Sequence, residues 1–285
     1  MANLMISSKP TLWNLPLPKP KTHNNKIIMK EKLTIIKVGG KIVEDPETLA
    51  TLLKDFSNIK GYKMRVHGGG RSATRVAARL GIETKMVDGR RITDADMLNV
   101  VTMVYGGLVN KNIVAGLQSC GVNAMGMTGA DMNIILSDRR PVKTVDYGFV
   151  GDVKKVDGEA LATLLKSGVV PVIAPLTHDG KGCMLNTNAD TMAGECAKGL
   201  ASIFDVHLVF CFEKAGVLRD ENDDESVVPE INRSTYTELL EQGIVNGGMI
   251  PKLDNAFSAI DSGVKEVIIT KASALNDLSK GSHLI

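Results

Sequence analysis

Two lysines and two glycine runs carry the chemistry this chain can do. Lys37 stands inside Leu33-Thr34-Ile35-Ile36-Lys37-Val38, a run that is otherwise core, and Gly39-Gly40 follows it. An ammonium buried there without an anion is costly, so the position calls for a negative partner. Gly68-Gly69-Gly70 closes a second strand, Lys63-Met64-Arg65-Val66, and Lys252 follows Gly247-Gly248-Met249-Ile250-Pro251. Glycine lets backbone N–H groups approach an anion closely. Phosphoryl transfer needs little covalent help, but much positive charge around the transferring group and N–H donors at its oxygens. Lys37 and Lys252 can supply that charge from the two sides of an in-line displacement. Gly39, Gly40 and Gly69 can supply donors, and Asp190 a carboxylate that orients both lysines. Neither GxxxxGK followed by Ser or Thr nor GxGxxG occurs, so the P-loop and dinucleotide fingerprints do not apply.

Taken singly, each of these residues also has a plainer role. Lysine is mostly a solvated surface group. Three glycines make a tight turn. Asn186 and Asp190 are common turn and cap types. His67 reads as structural, and Arg91 is as well suited to a surface hairpin as to gripping a carboxylate through its two-pronged guanidinium.

The elements that position them alternate, short β-branched runs with helical patterns, as in crossover units on a mainly parallel sheet. An α/β sandwich follows. Asp45 and Pro46 start a helix whose Leu49, Leu52, Leu53 and Phe56 share one face. After the triple glycine, Ser72 to Leu80 continues as a helix whose N-terminus points at whatever the glycines hold. Asp88-Gly89 suits a hairpin turn that presents Arg90 and Arg91. Thr93 with Asp96 patterns as a capping box for a long helix through Met97, Val100, Val101, Val104 and Leu108, a candidate dimer contact. A strand at 122–127 precedes a pair of antiparallel strands around 134–142 and 147–153. Further strands fall at 169–174, 206–212 and 266–270, with helices at 191–200, near a Ser234 cap, and after Gly247-Gly248.

At 285 residues, 44% hydrophobic and 23% charged, the chain can bury one large core or two smaller ones. A formal charge of +2 with 4% aromatics gives neither a basic stripe nor a stacking platform, so nucleic acid is not expected as a partner, and small molecules are. Cys120, Cys183, Cys196 and Cys211 are scattered, as reduced thiols in a cytoplasmic protein would be, and no structural zinc is expected. No apolar run approaches the ~18 residues of a membrane span. Residues 1–28, with three prolines in five residues at Pro16-Leu17-Pro18-Lys19-Pro20, read as a disordered leader before a single domain over 29–285. Met29 is an equally good start, which would leave the leader untranslated.

The order of the segments Ile36-Lys37-Val38-Gly39-Gly40, Val66-His67-Gly68-Gly69-Gly70, Asp88-Gly89-Arg90-Arg91-Ile92-Thr93, Asn186-Thr187-Asn188-Ala189-Asp190 and Gly248-Met249-Ile250-Pro251-Lys252 resembles the amino acid kinase family from about Leu33 to the end. That resemblance implies a three-layer sandwich around an open, mostly parallel eight-stranded sheet. The N-terminal half would bind an acylated glutamate and the C-terminal half ATP. It implies transfer from ATP to the side-chain carboxylate of N-acetyl-L-glutamate, giving an acyl phosphate, a step of arginine biosynthesis. The same reaction on N-succinyl-L-glutamate, and a non-catalytic ligand-sensing paralogue, are the alternatives. Lys37 and Lys252 would stabilise the transition state and Asp190 would organise them. Gly69, Gly70, Arg91 and Asn186 would hold the substrate. ATP would lie over Gly39, Gly40, Glu213, Lys214, Ala215, Gly216, Val217 and Leu218, near Ile244, Val245 and Asn246. Magnesium would enter with ATP and take no direct protein ligand. Where the family has an Asp-x-x-Gly turn, this chain has Glu213-Lys214-Ala215-Gly216. Because the leader is Pro-rich and does not pattern as the extra N-terminal helix of arginine-inhibited hexamers, an arginine-insensitive homodimer is expected.

Overall fold

The computed structural model describes residues 30–285 apart from Asp88 and Glu221; the leader and the Asp88 half of the expected turn lie outside the described residues. Fourteen strands occur in it, β1 Lys32–Val38, β2 Tyr62–His67, β3 Met86–Val87, β4 Arg90–Arg91, β5 Ala124–Met127, β6 Ile135–Arg139, β7 Gly151–Val156, β8 Val170–Ile173, β9 Leu176–His178, β10 Met184–Asn186, β11 Asp205–Phe212, β12 Glu230–Ile231, β13 Glu266–Lys271 and β14 Ser282–Leu284. Eight form one sheet in the order β12-β14-β13-β11-β1-β2-β8-β5. From β13 to β5 all neighbours are parallel, and β14 reverses direction against β13. The chain leaves β1 toward β2 on one side and returns as β11 on the other. In open α/β sheets the crevice at such a switch, outside the carboxyl ends of the strands, is where ligands bind.

Alternation along β1 explains the two cores. Leu33 and Ile35 face one layer with the helices Gly158–Lys166, Ala189–Leu200 and Met249–Asp261, and Ile36 and Val38 face the other with Pro46–Asn58 and Ala95–Ser119. Lys37 belongs to the first face, at the end nearest the glycines.

Several helix starts differ from the sequence expectation in informative ways. The cap of the long helix is Asp94, whose Oδ1 accepts from Met97 N at 2.8 Å, rather than Thr93. Thr93 is thereby free for the site described below. Asn232, not Ser234, caps Arg233–Glu241 by accepting from Thr235 N at 2.9 Å. Asp45 caps Pro46–Asn58 as expected, and its contact with the Thr48 backbone N–H holds its carboxyl below the usual range. The helix Ala95–Ser119 is, by length and composition, apolar enough to cross a membrane, unlike anything expected from the sequence. It is instead a wall of the second core, with Met97, Val100, Val101, Val104, Tyr105, Val109, Ile113 and Leu117 buried. A π-helical stretch, Thr102–Val109, shifts its inward face by about a residue. Val109 therefore points in, while Leu108, placed by the sequence on the same helical stripe, is 53% exposed, as is Met103.

Arg65 is the anomaly of the second core. It is fully buried, and Nε, Nη1 and Nη2 all lack a hydrogen-bond partner among the described residues. Burial pushes its guanidinium down to about 10. An unpaired buried charge usually costs more than an apolar group of similar shape. Arg65→Met is therefore expected to raise stability by about 1–4 kcal/mol. A higher urea midpoint would show this, whereas a lower one would mean that the guanidinium has a partner essential to the fold.

At the other end of the strands Glu266 ties three of them together. His207 Nδ1 donates to its Oε1 at 2.5 Å and His283 Nδ1 to its Oε2 at 3.0 Å. These donors hold the Glu266 carboxyl down at about 2 against an ordinary 4.5. A depressed carboxylate contributes stability that is complete above its unfolded value and is lost as pH falls through the folded one. The stability difference between wild type and Glu266→Gln should accordingly shrink between about pH 4.5 and 2, and an unchanging difference across that window would contradict the assignment.

Candidate active site

The carboxyl ends of β1 and β2 bring the two glycine runs into contact. A Cβ on Gly68 would lie 3.1 Å from Gly40 N, and one on Gly69 would meet Tyr105 Cδ1 at 2.8 Å, so side chains are excluded where the loops touch each other and the long helix. Gly40 and Gly70 each begin a helix, where first-turn N–H groups have no intrahelical acceptor. The Gly39 N–H donates to Cys211 O at 3.3 Å, so of the expected donors this one is already taken.

Two cavities meet at Gly70. The first, of about 180 Å³, is lined by Gly68, Gly69, Gly70, Arg91 and Asn186, and also by Arg90, Tyr105 and Asn188. The second, of about 460 Å³, is lined by Gly39, Gly40, Glu213, Lys214, Gly216 and Lys252, together with Lys41, Arg71, Phe212 and Met249. The expected substrate residues Gly69, Gly70, Arg91 and Asn186 thus share one cavity. The expected nucleotide residues divide: Ala215 lines a neighbouring cavity, Val217 and Leu218 pack inward, Val245 is core with Ile244 against it, and Asn246 is exposed.

Lys37 is 7% exposed, and its Nζ lies 2.5 Å from Asp190 Oδ1. Apart from this ion pair that oxygen has no hydrogen-bond partner, so the contact is a charge approach rather than an aligned hydrogen bond. Asp190 is available for it because Asn188 caps the helix Ala189–Leu200, its Oδ1 accepting from Asp190 N at 2.8 Å and Thr191 N at 3.1 Å. Lys252, in the first turn of Met249–Asp261, lies 4.1 Å from the Phe212 ring centroid, and Lys37 lies 5.2 Å from the same ring. Phe212 thus holds both cations in one place, a contact with no signal in residue type alone. Burial lowers the Lys252 ammonium from the ordinary lysine range, Asp190 opposes that, and Lys37 adds to it.

Arg91 is buried and braced. Its Nη2 donates to Gly70 O at 2.8 Å and Thr74 Oγ1 at 2.9 Å, and its Nη1 to Thr84 Oγ1 at 3.2 Å. It offers the cavity a fixed charge more than a free fork. Asn186 is held by Thr93, whose Oγ1 accepts from Asn186 Nδ2 at 2.9 Å. His67 is structural as expected: one ring nitrogen meets Gly68 O at 2.7 Å, the other Asn110 Nδ2 at 3.1 Å, and burial lowers the ring to about 4, which keeps it neutral. Lys41 and Glu213 pair at 2.5 Å over the second cavity, another contact that the sequence did not suggest.

A glycine-floored crevice where two cavities meet, with two lysines clustered on Phe212, has the makings of a small-molecule kinase of the α/β class. The chain belongs to the amino acid kinase family, whose model matches residues 32–271. It is 73% identical over 249 residues to the acetylglutamate kinase of Phocaeicola vulgatus, covering 87% of this chain and 97% of that one. It is 40% identical to the acetylglutamate kinase of Methanopyrus kandleri, covering 85% and 96%. Among solved structures, carbamate kinase from Giardia lamblia bound to AMP-PNP superposes with a TM-score of 0.65 at 16% identity, over 90% of this chain and 99% of that one; this likeness shows the fold. Membership of a kinase family implies ATP as the phosphoryl donor.

Proposed function

We propose that the protein transfers the γ-phosphoryl group of ATP to the side-chain carboxylate of N-acetyl-L-glutamate, giving the acyl phosphate, as its acetylglutamate kinase relatives are named for doing. The observation that carries this reading is the Lys37–Asp190 pair with Lys252 over the same aromatic ring, where Phe212 and Lys252 line the larger cavity. The acceptor carboxylate is ionised at neutral pH, so no general base is needed. Arg91 and Asn186 hold the acyl-glutamate in the smaller cavity, with Gly69 and Gly70 as its floor. Lys37 and Lys252 neutralise charge on the transferring group and its neighbours, and Asp190 keeps the two ammonium groups together. Gly40 supplies backbone donors toward the phosphates, with Glu213, Lys214 and Gly216 lining the nucleotide side.

Among the described residues no group of three or more His, Cys, Asp or Glu could hold a metal ion. Glu213 is the one acidic residue lining the second cavity among the described residues, against Lys41, Arg71, Lys214 and Lys252, and it is paired with Lys41, a donor set that fits a metal arriving with the nucleotide. Magnesium bound in that way would supply positive charge that offsets the phosphates during transfer. The exposed Met103 and Leu108 on the helix Ala95–Ser119 suit a homodimer contact. The product places the enzyme in arginine biosynthesis.

The reading is tested by ADP release from Mg-ATP followed by 31P NMR. Release should depend on N-acetyl-L-glutamate and be at least about tenfold slower with free L-glutamate, which presents an ammonium to a cavity lined by arginines. Release that ignores the amino acid would remove it.

A further inference from the structure

Glu213, Lys214 and Gly216 line the larger cavity, whereas Val217 turns its side chain into the core and meets its surroundings there through its backbone. The Val217 N–H donates to Ser282 Oγ at 2.9 Å, and the Val217 carbonyl oxygen accepts from Val228 N at 2.8 Å. Ser282 is fully buried and opens β14. A Cβ on Gly216 would lie 2.6 Å from Ser282 Oγ and 3.2 Å from Ser282 N, so this part of the cavity wall rests directly on the serine. Ser282 also pairs across the sheet with Ile269, which lines the same cavity.

The strand that carries this hydroxyl is fastened on its far side. Next along β14, His283 reaches Glu266 through Nδ1, its Nε2 lies 3.0 Å from Leu278 O, and its backbone N–H donates to Pro229 O at 2.8 Å. Leu284 beyond it is fully buried. A side chain locked by its own surroundings fixes whatever it touches. Without the serine oxygen the Val217 N–H becomes a buried donor with no partner, a cost the segment can relieve only by moving. We infer that Ser282 is a positioning residue for the nucleotide. It holds the segment from Glu213 to Val217 at the height where Gly216 and its neighbours meet ATP, and it does so from behind, since it lines neither cavity. The inference rests on the kinase reading above, with ATP in the larger cavity.

The test follows ADP release from Mg-ATP with N-acetyl- or N-succinyl-L-glutamate, varying each substrate in turn, for the wild type, Ser282→Ala and Ser282→Thr. Ser282→Ala should raise the KM for ATP about tenfold, the scale of one buried hydrogen bond lost, while the KM for the acyl-glutamate stays within about twofold. Ser282→Thr keeps the hydroxyl and should return the KM for ATP to within about threefold of wild type. KM does not depend on how much of a variant is folded, so a serine that merely stabilised the sheet would lower the amount of active enzyme and leave both KM values alone. Three results overturn the inference while wild-type turnover leaves the kinase reading intact: an ATP KM unchanged in Ser282→Ala, a rise shared with or confined to the acyl-glutamate, or a Ser282→Thr no better than Ser282→Ala. A wild type that releases no ADP with either acyl-glutamate overturns that reading, and the inference with it.

Discussion

Replacing Lys252 with alanine is expected to lower kcat by about 100- to 1000-fold while the KM for the acyl-glutamate changes by no more than about threefold. The reason lies in where the ammonium sits. It is half-buried over Phe212, on the nucleotide side of the junction, and lines the larger cavity. Its charge is therefore matched to phosphate oxygens, whose charge shifts during transfer, and not to the bound amino acid. Steady-state kinetics at saturating ATP separate the cases. A raised KM for the acyl-glutamate with kcat intact would assign Lys252 to ground-state binding. The depressed ammonium also sets a pH limit: the alkaline fall in kcat should lie below the ordinary lysine value of 10.5.

Asp190→Asn should show the second large effect, on activity and stability together. The substitution keeps size and removes the charge. Lys37, 7% exposed in an apolar strand, would then be left beside a neutral amide. Breaking a buried pair by removing one partner costs about 3–5 kcal/mol. The Asp190 side chain keeps some solvent contact, so the lower end, about 3 kcal/mol in urea unfolding, is expected. Activity should fall about 100-fold, the scale of losing one preorganised electrostatic element. Asp190 also supports the Lys252 ammonium against burial. The alkaline limb of the residual activity should therefore move to lower pH than in the wild type. A limb that stays put would mean that Asp190 acts on Lys37 alone.

Much of this architecture was legible in residue order. The central strands, being short β-branched runs between turn signals, fall within a residue or two of expectation, and the expected antiparallel pair exists as β6–β7, although β6 ends three residues earlier and β7 begins four residues later than the sequence placed them. Lys37 was legible because a lysine in a core strand demands an anion, and Asp190 supplies it. Less legible was whatever depends on groups distant in sequence. Phe212 matters because β11 and the helix carrying Lys252 converge on it, and a lone Phe in a strand looks like core. Asp94 displaced Thr93 as a cap because Asn186, 93 positions away, engages the Thr93 hydroxyl. The outermost strands on one side, β12 and β14, of two and three residues, are too short to show a period. Leu108 turned outward because a π-helical stretch changes the phase, which no count of threes and fours anticipates.

The central claim is that phosphorus goes from ATP to the side-chain carboxylate of an acylated glutamate, and trapping the product tests it most directly. Hydroxylamine converts an acyl phosphate to a stable hydroxamate. With Mg-ATP and N-acetyl- or N-succinyl-L-glutamate, mass spectrometry should find the side-chain hydroxamate in amounts equal to the ADP formed. ADP without hydroxamate from either acyl-glutamate would contradict the account.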